Sequence, residues 1–144
     1  MPAFLAVYPP FLGAGVRVRR LPGPPPSYRV RMKLRWWNRN YVGTHFGGSL
    51  YTMCDPFFML ILLEALGPGY VVWDKEATIR FRRPGRGTVE ALFEIPAERI
   101  AEIAAAAAER PKVEPVFETR VHGCDGNVVA EVSKTLHVRR REER

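Results

Sequence analysis

Three features within one short stretch could do chemistry together: Asn40, the pair Gly47-Gly48, and Asp55. The glycines open a long apolar segment, Gly47 to Leu66, that reads as a buried helix. A glycine-exposed helix N-terminus presents free backbone N–H groups and the positive end of the helix dipole, so it can hold an oxyanion. Asp55 lies seven positions beyond Gly48. On a regular helix that is two turns further along nearly the same face, roughly 10 Å away. A carboxylate in so apolar a helix is costly without a partner or a task. An electrophile-stabilising point and a base or nucleophile together are what acyl chemistry needs.

Other elements must hold these residues in place. Met1 to Leu12 is apolar and reads as a short helix broken at Pro9-Pro10, and Val16 to Leu21 reads as a short strand. After the proline-rich turn Pro22 to Pro26, Tyr28, Val30, Met32, Leu34 and Trp36 alternate with Arg29, Arg31, Lys33, Arg35 and Trp37. That period of two predicts a strand with one apolar and one basic face. Asn38 to Phe46 is a loop. The helix that follows is apolar nearly all round, which places it at the centre of a fold, and Gly67-Pro68-Gly69 stops it. Pro56 removes a hydrogen bond inside it and predicts a kink.

Further strands are expected from Val71-Val72-Trp73, from Ala77 to Phe81, and from Val89 to Ile95, the last two separated by the turn Arg83 to Gly87. A second helix spans Pro96 to Arg110. Val113 to Val121 and Val128 to Val138 are strands joined around Asp125-Gly126, a strong hairpin signal. The tail Arg139 to Arg144 should fray. With no internal repeat and no composition break, 144 residues form one domain large enough to bury a core. The class is α+β, a mostly antiparallel sheet whose apolar face wraps one central helix.

Composition narrows the function. Cys54 and Cys124 are the only cysteines, one on the expected buried helix and one in a turn, so reduced thiols rather than a disulfide framework are expected. The longest apolar run, Pro56 to Leu63, is too short to span a membrane. The N-terminus lacks a basic leader, so no signal peptide is read there and a cytoplasmic, membrane-free protein is expected. The net charge of +7 gathers in Arg29 to Arg35, Arg80 to Arg86 and Arg139 to Arg144. It suits a phosphate-rich small molecule or a solvated surface. A nucleic-acid module would need exposed aromatics interleaved with the basic strand, and only Trp37 at its end meets that need. His122 and Cys124 have no second ligand pair, so no metal site is expected.

The segment Asn40-Tyr-Val-Gly-Thr-His-Phe-Gly-Gly-Ser-Leu-Tyr-Thr-Met-Cys-Asp55 resembles the hot-dog-fold acyl-CoA thioesterases. The likeness is to the phenylacetate-pathway type and to a branch related to the C-terminal domain of a bacterial acetyltransferase-like protein. Those enzymes carry an Asn, a short loop, a His-Gly-Gly turn, and an Asp seven residues beyond the second glycine. The strand and turn Ile79 to Gly87 and the element order from Val16 to Val138 are also similar. This sequence departs in one place: Phe46 stands directly before the glycines, and His45 is one position earlier.

The resemblance implies a hot-dog fold with Gly47 to Leu66 at its centre. It implies pairing into a homodimer or homotetramer, with the active site at the subunit interface, so that Asp55 could serve the neighbour's site. The substrate would be an acyl-CoA or acyl-carrier thioester, hydrolysed without a cofactor other than the coenzyme A of the substrate. The Gly48 N–H, with Gly47 beside it, would polarise the carbonyl; Asp55 would be base or nucleophile; Asn40 would orient water or substrate. Phe46 could line the acyl pocket, Ser49 could satisfy the first N–H groups of the helix, and Arg80, Arg82, Arg83 or Arg86 could meet the coenzyme A phosphates. Each residue also has a plainer reading. The glycines could serve close packing, Asp55 a dimer contact, Asn40 a turn, and the arginines a solvated surface. The whole could be a non-catalytic acyl-CoA-binding domain.

Overall fold

The computed structural model describes residues 2–142. Met1, and Glu143 and Arg144 at the end of the expected basic tail, lie outside the described residues. Six strands form one antiparallel sheet in the order β1-β2-β4-β5-β6-β3. They are β1 (Val16–Leu21), β2 (Ser27–Lys33), β3 (Tyr70–Phe81), β4 (Thr88–Phe93), β5 (Val116–Gly123) and β6 (Val128–Arg140). One face is apolar because the alternation is strict: Val30, Met32, Val89, Ala91, Val121, Val132 and Leu136 all point into the core. On the outer face Arg29 and Arg31 both pair with Glu90 across the strands, so part of the basic face is neutralised locally.

The sheet wraps α4 (Phe57–Leu66), whose buried residues include Phe57, Phe58, Ile61 and Leu62. The Phe57 ring centroid lies 5.0 Å from that of Phe93 and 5.4 Å from that of Tyr28. Phe58 stacks on Phe117 at 5.3 Å. Glu64, the one charged residue of α4, reaches Arg20 at the surface. This is the hot-dog arrangement that the resemblance implies, and α5 (Ala97–Glu109) covers one end with Ile103 and Ala107 buried.

The expected central helix is two helices. The first, α3, spans Gly47–Thr52, and α4 resumes at Phe57. Pro56 cannot donate, so the chain tightens before it: Cys54 N–H donates to Tyr51 and Asp55 N–H to Thr52, and the Asp55-Pro56 peptide is cis. Asp55 therefore sits in a turn between helices and not on the face of a continuous one. It is also not buried, since its side chain is 45% exposed.

Three other expectations need correction. The strand expected through Trp37 ends at Lys33, the last residue paired to β4. There the Asn38 side chain takes the Arg35 N–H and donates to the carbonyls of Lys33 and Ala14, which bends the chain into a loop and leaves Trp36 exposed. The apolar N-terminus makes two helices, α1 (Pro2–Ala6) and α2 (Pro9–Ala14), because Pro9-Pro10 suits the first turn of a helix. Arg139 and Arg140 do not fray. They extend β6 against Tyr70 and Val71, and Arg141 N–H donates to Gly69 at 2.8 Å.

Candidate active site

The sequence-predicted residues fall into two groups. The first surrounds the start of α3. The Phe46 carbonyl accepts the N–H groups of Ser49 and Leu50, at 3.0 and 3.1 Å. Those of Gly47 and Gly48 have no acceptor among the described residues. The Ser49 hydroxyl caps none of these N–H groups among the described residues, and the Phe46 carbonyl takes only those of Ser49 and Leu50. Each glycine lies close under an aromatic ring. A Cβ at Gly47 would lie 3.0 Å from the Phe81 ring, and one at Gly48 would lie 2.6 Å from the ring of Phe46. Phe46 itself is exposed.

Beside this helix start is a cleft of ≈ 450 Å³, with Asn40, His45, Gly47, Phe81, Arg82 and Arg83 among its walls. Asn40 organises the loop that forms one wall. Its Oδ1 accepts the N–H groups of Val42 and Thr44, and its Nδ2 donates to the Thr44 hydroxyl at 2.9 Å. His45 is buried and ties the loop to the β3–β4 turn. Its N–H donates to Gly85 and its Nε2 donates to the Gly87 carbonyl at 2.7 Å. Burial pulls the imidazole below its usual range, with the Gly87 bond only partly opposing, so it is neutral with Nδ1 unprotonated.

The arginines do not act as one cluster. Arg82 and Arg83 line the cleft, but the Arg82 guanidinium is held by Glu131 at 2.9 Å. Arg80 lies along the outer face of the sheet, in an open cavity with Glu118, Arg120 and Glu131.

The second group centres on Asp55. Its Oδ1 accepts a hydrogen bond from Lys134 Nζ at 2.9 Å, and the same ammonium donates to Asp74 Oδ2 at 3.0 Å. Lys134 is 0% exposed. It occupies an inward position of β6, in phase with Val132 and Leu136. Asp74 lies on β3 opposite Leu136, at a register shift between Asp74 and Glu76 that bends the strand. The Tyr51 ring lies 5.9 Å from the ammonium, within cation–π reach.

Electrostatics follow from this packing. Burial would pull the Lys134 ammonium down, but its bonds and attraction to Asp55 and Asp74 outweigh that, so it is held above the usual lysine range. Burial pushes the Asp74 carboxyl up; Lys134 opposes this and the nearby Asp55 carboxylate adds to it. The neighbouring Cys54 thiol is pushed up to about 12 by burial, so it holds its proton at neutral pH and is not a nucleophile.

Thus Asn40, Gly47, Arg82 and Arg83 share one cleft, while Phe46, Gly48, Ser49 and Asp55 are not among its walls. Lys134 and Asp74 were not expected from the sequence. The available signal was the phase of β6, since a lysine between Val132 and Leu136 at inward positions must find an anion.

Comparisons with known proteins agree with this architecture. The family described as "Domain of unknown function (DUF4442)" matches residues 2–138. Among curated proteins there is no match. A Pseudomonas aeruginosa protein of unknown function, called a probable thioesterase, is similar with a TM-score of 0.77 and 28% identity, covering 98% of this chain and 97% of that one. A protein of unknown function from Chlorobaculum tepidum is similar at TM-score 0.76 and 14% identity, covering 96% of this chain and 91% of that one. A thioesterase from Haemophilus influenzae is similar at TM-score 0.70 and 14% identity, covering 99% and 90%.

Proposed function

We propose that this chain, which belongs to the DUF4442 family, hydrolyses an acyl-CoA or acyl-carrier thioester at a site shared between two copies of itself. The observation that carries this reading is a reachable carboxylate beside a buried cation: Asp55, 45% exposed, on Lys134. It stands in a fold shared at 28% identity with a protein called a probable thioesterase.

Asp55 acts as general base on water, which attacks the thioester carbonyl. The Gly48 N–H, with that of Gly47 beside it, receives the developing oxyanion, an interaction stronger in the transition state than in the ground state. The carbon–sulfur bond breaks, and the thiolate leaves with the proton the base took up. Asn40 acts through the loop it closes, which fixes the approach to Gly47 and Gly48. Phe46 and Ser49 border the acyl side of the site. Arg83 and Arg80 are left for the phosphates of coenzyme A, guanidinium being well matched to phosphate, while Arg82 is engaged with Glu131.

The separation of Asp55 from the Gly47 cleft supports a site completed by a second copy, since the carboxylate and the free N–H groups do not share one cleft. The test is thiol release from aromatic and short- to long-chain acyl-CoAs by wild type and by Asp55→Asn. Turnover by wild type that falls at least about a hundredfold in the variant, with fold and assembly unchanged, supports the reading. Binding of acyl-CoA with no turnover on any chain replaces it with a non-catalytic acyl-CoA-binding domain.

A further inference from the structure

The carboxylate taken above as the base is half of a pair. Asp55 from the turn before α4 and Asp74 from the bulge of β3 converge on one ammonium, at 2.9 and 3.0 Å. Among the described residues no other cation pairs with either acid. Lys134 meets the inward phase of β6, where a methionine of similar length would fill the same space with no charge to compensate. A fully buried lysine held between two acids is therefore not explained by packing.

The geometry gives it a purpose. One buried ammonium held by two acids from separate elements is fixed in place, and so fixes the carboxylate that reaches solvent. Lys134 engages Asp55 through Oδ1, and Asp55 Oδ2 receives no hydrogen bond from any described residue. Asp74 Oδ1 is buried with no hydrogen-bond partner among the described residues, and Asp74 meets the ammonium through Oδ2.

We propose that Lys134 and Asp74 are positioning residues for Asp55: the buried ammonium pins Asp55 through Oδ1 and leaves Oδ2 to the water, and Asp74 holds the ammonium in place from the other side. This rests on the reading of Asp55 as the base. The groups facing the unit are Tyr51 from α3, Cys54 beside Asp55, Asp74 from β3 and Lys134 from β6. Burial pushes the Tyr51 hydroxyl up and the Cys54 thiol up to about 12, so both stay neutral. Lys134 stays charged. Tyr51, Cys54 and Lys134 therefore keep one charge state from acid to neutral pH.

Two readouts test it together. The first is thiol release at neutral pH, with kcat and KM separated. Asp74→Asn, which keeps the side-chain shape, and Lys134→Met are each expected to lower kcat at least about tenfold. KM should change by less than about twofold in both, because neither residue touches the substrate. The second is a carbon-detected NMR titration of the Asp74 carboxyl without substrate, where Asp55→Asn should lower its midpoint and Lys134→Met should raise it. Should Lys134→Met fail to fold, the two asparagine variants carry the test.

A kcat unmoved by Asp74→Asn, or an Asp74 midpoint unmoved by Asp55→Asn, would overturn the proposal. If wild type hydrolyses no thioester, the function proposed above fails. The NMR readout then decides the coupling of the two acids on its own.

Discussion

Replacing Lys134 with methionine keeps the length of the side chain and removes its charge, so it isolates what the ammonium contributes to stability. Two charge-assisted hydrogen bonds, at 2.9 and 3.0 Å, are lost. Breaking a buried pair by removing one partner costs about 3–5 kcal/mol, because the remaining charge is left uncompensated. Water recovers part of this at Asp55, whose side chain is 45% exposed, and less at Asp74, which is 22% exposed. The expected loss near neutral pH is therefore at the low end, about 3 kcal/mol. In a domain of this size that lowers Tm by about 6–12 °C.

The pH dependence gives the sign a second test. The Asp74 carboxyl is held above the usual carboxylate range by burial and by Asp55, and Lys134 is the group that opposes both. Without Lys134 it rises further. A carboxyl raised in the folded state contributes stability below its unfolded value and loses it as pH rises through the folded one. The deficit of Lys134→Met should thus be largest near neutral pH. It should shrink by about 1 kcal/mol or more near pH 4, as the pair takes up a proton. Urea unfolding at the two pH values measures both quantities. A deficit equal at both, or below about 1 kcal/mol at neutral pH, would refute the reasoning.

The remaining expectations concern the core, the helix start and the thiols. Phe93→Ala removes a fully buried ring that packs on Phe57 and Phe58 at 5.0 and 5.2 Å, and urea unfolding should show a loss of about 3–5 kcal/mol. Gly48→Ala places a Cβ 2.6 Å from the Phe46 ring. The exposed ring can swing aside, so thermal melting should move little, while kcat for thiol release should fall about a hundredfold as the added methyl crowds the N–H that receives the oxyanion. An aromatic disulfide reagent should label Cys124 in the native protein, and Cys54 only at the rate of unfolding, because Cys54 is buried with its thiol pushed up to about 12.

Much of this fold is legible from local pattern. The alternation in Tyr28 to Lys33 and Val128 to Val138 marks strands. Asp125-Gly126 closes its hairpin as expected, with Gly126 at a φ of 79° and Asn127 N–H held by the Asp125 side chain. The apolar run from Gly47 marks the centre, and Pro56 marks its interruption. Long-range features are less legible. The strand expected through Trp37 stops at Lys33 because β4 begins opposite it at Thr88, and nothing local records where a partner strand ends. Lys134 escapes notice for the same reason. A strand lysine normally points to water, and its two acids lie 79 and 60 positions away in the chain. Asn40, Gly47 and Asp55 could be read together from spacing, yet the break at Pro56 decides which way Asp55 points.

The measurement that tests the account most directly is complementation between two inactive variants. Asp55→Asn and a Gly48 variant bulky enough to block the helix start are each prepared alone, then mixed, unfolded and refolded together. If each site takes its base from one copy and its oxyanion site from the other, half of the dimers are mixed and each carries one intact site. Thiol release should then recover to about a quarter of the wild-type rate. Recovery no greater than the sum of the separate variants would place base and oxyanion site within a single chain and contradict the account.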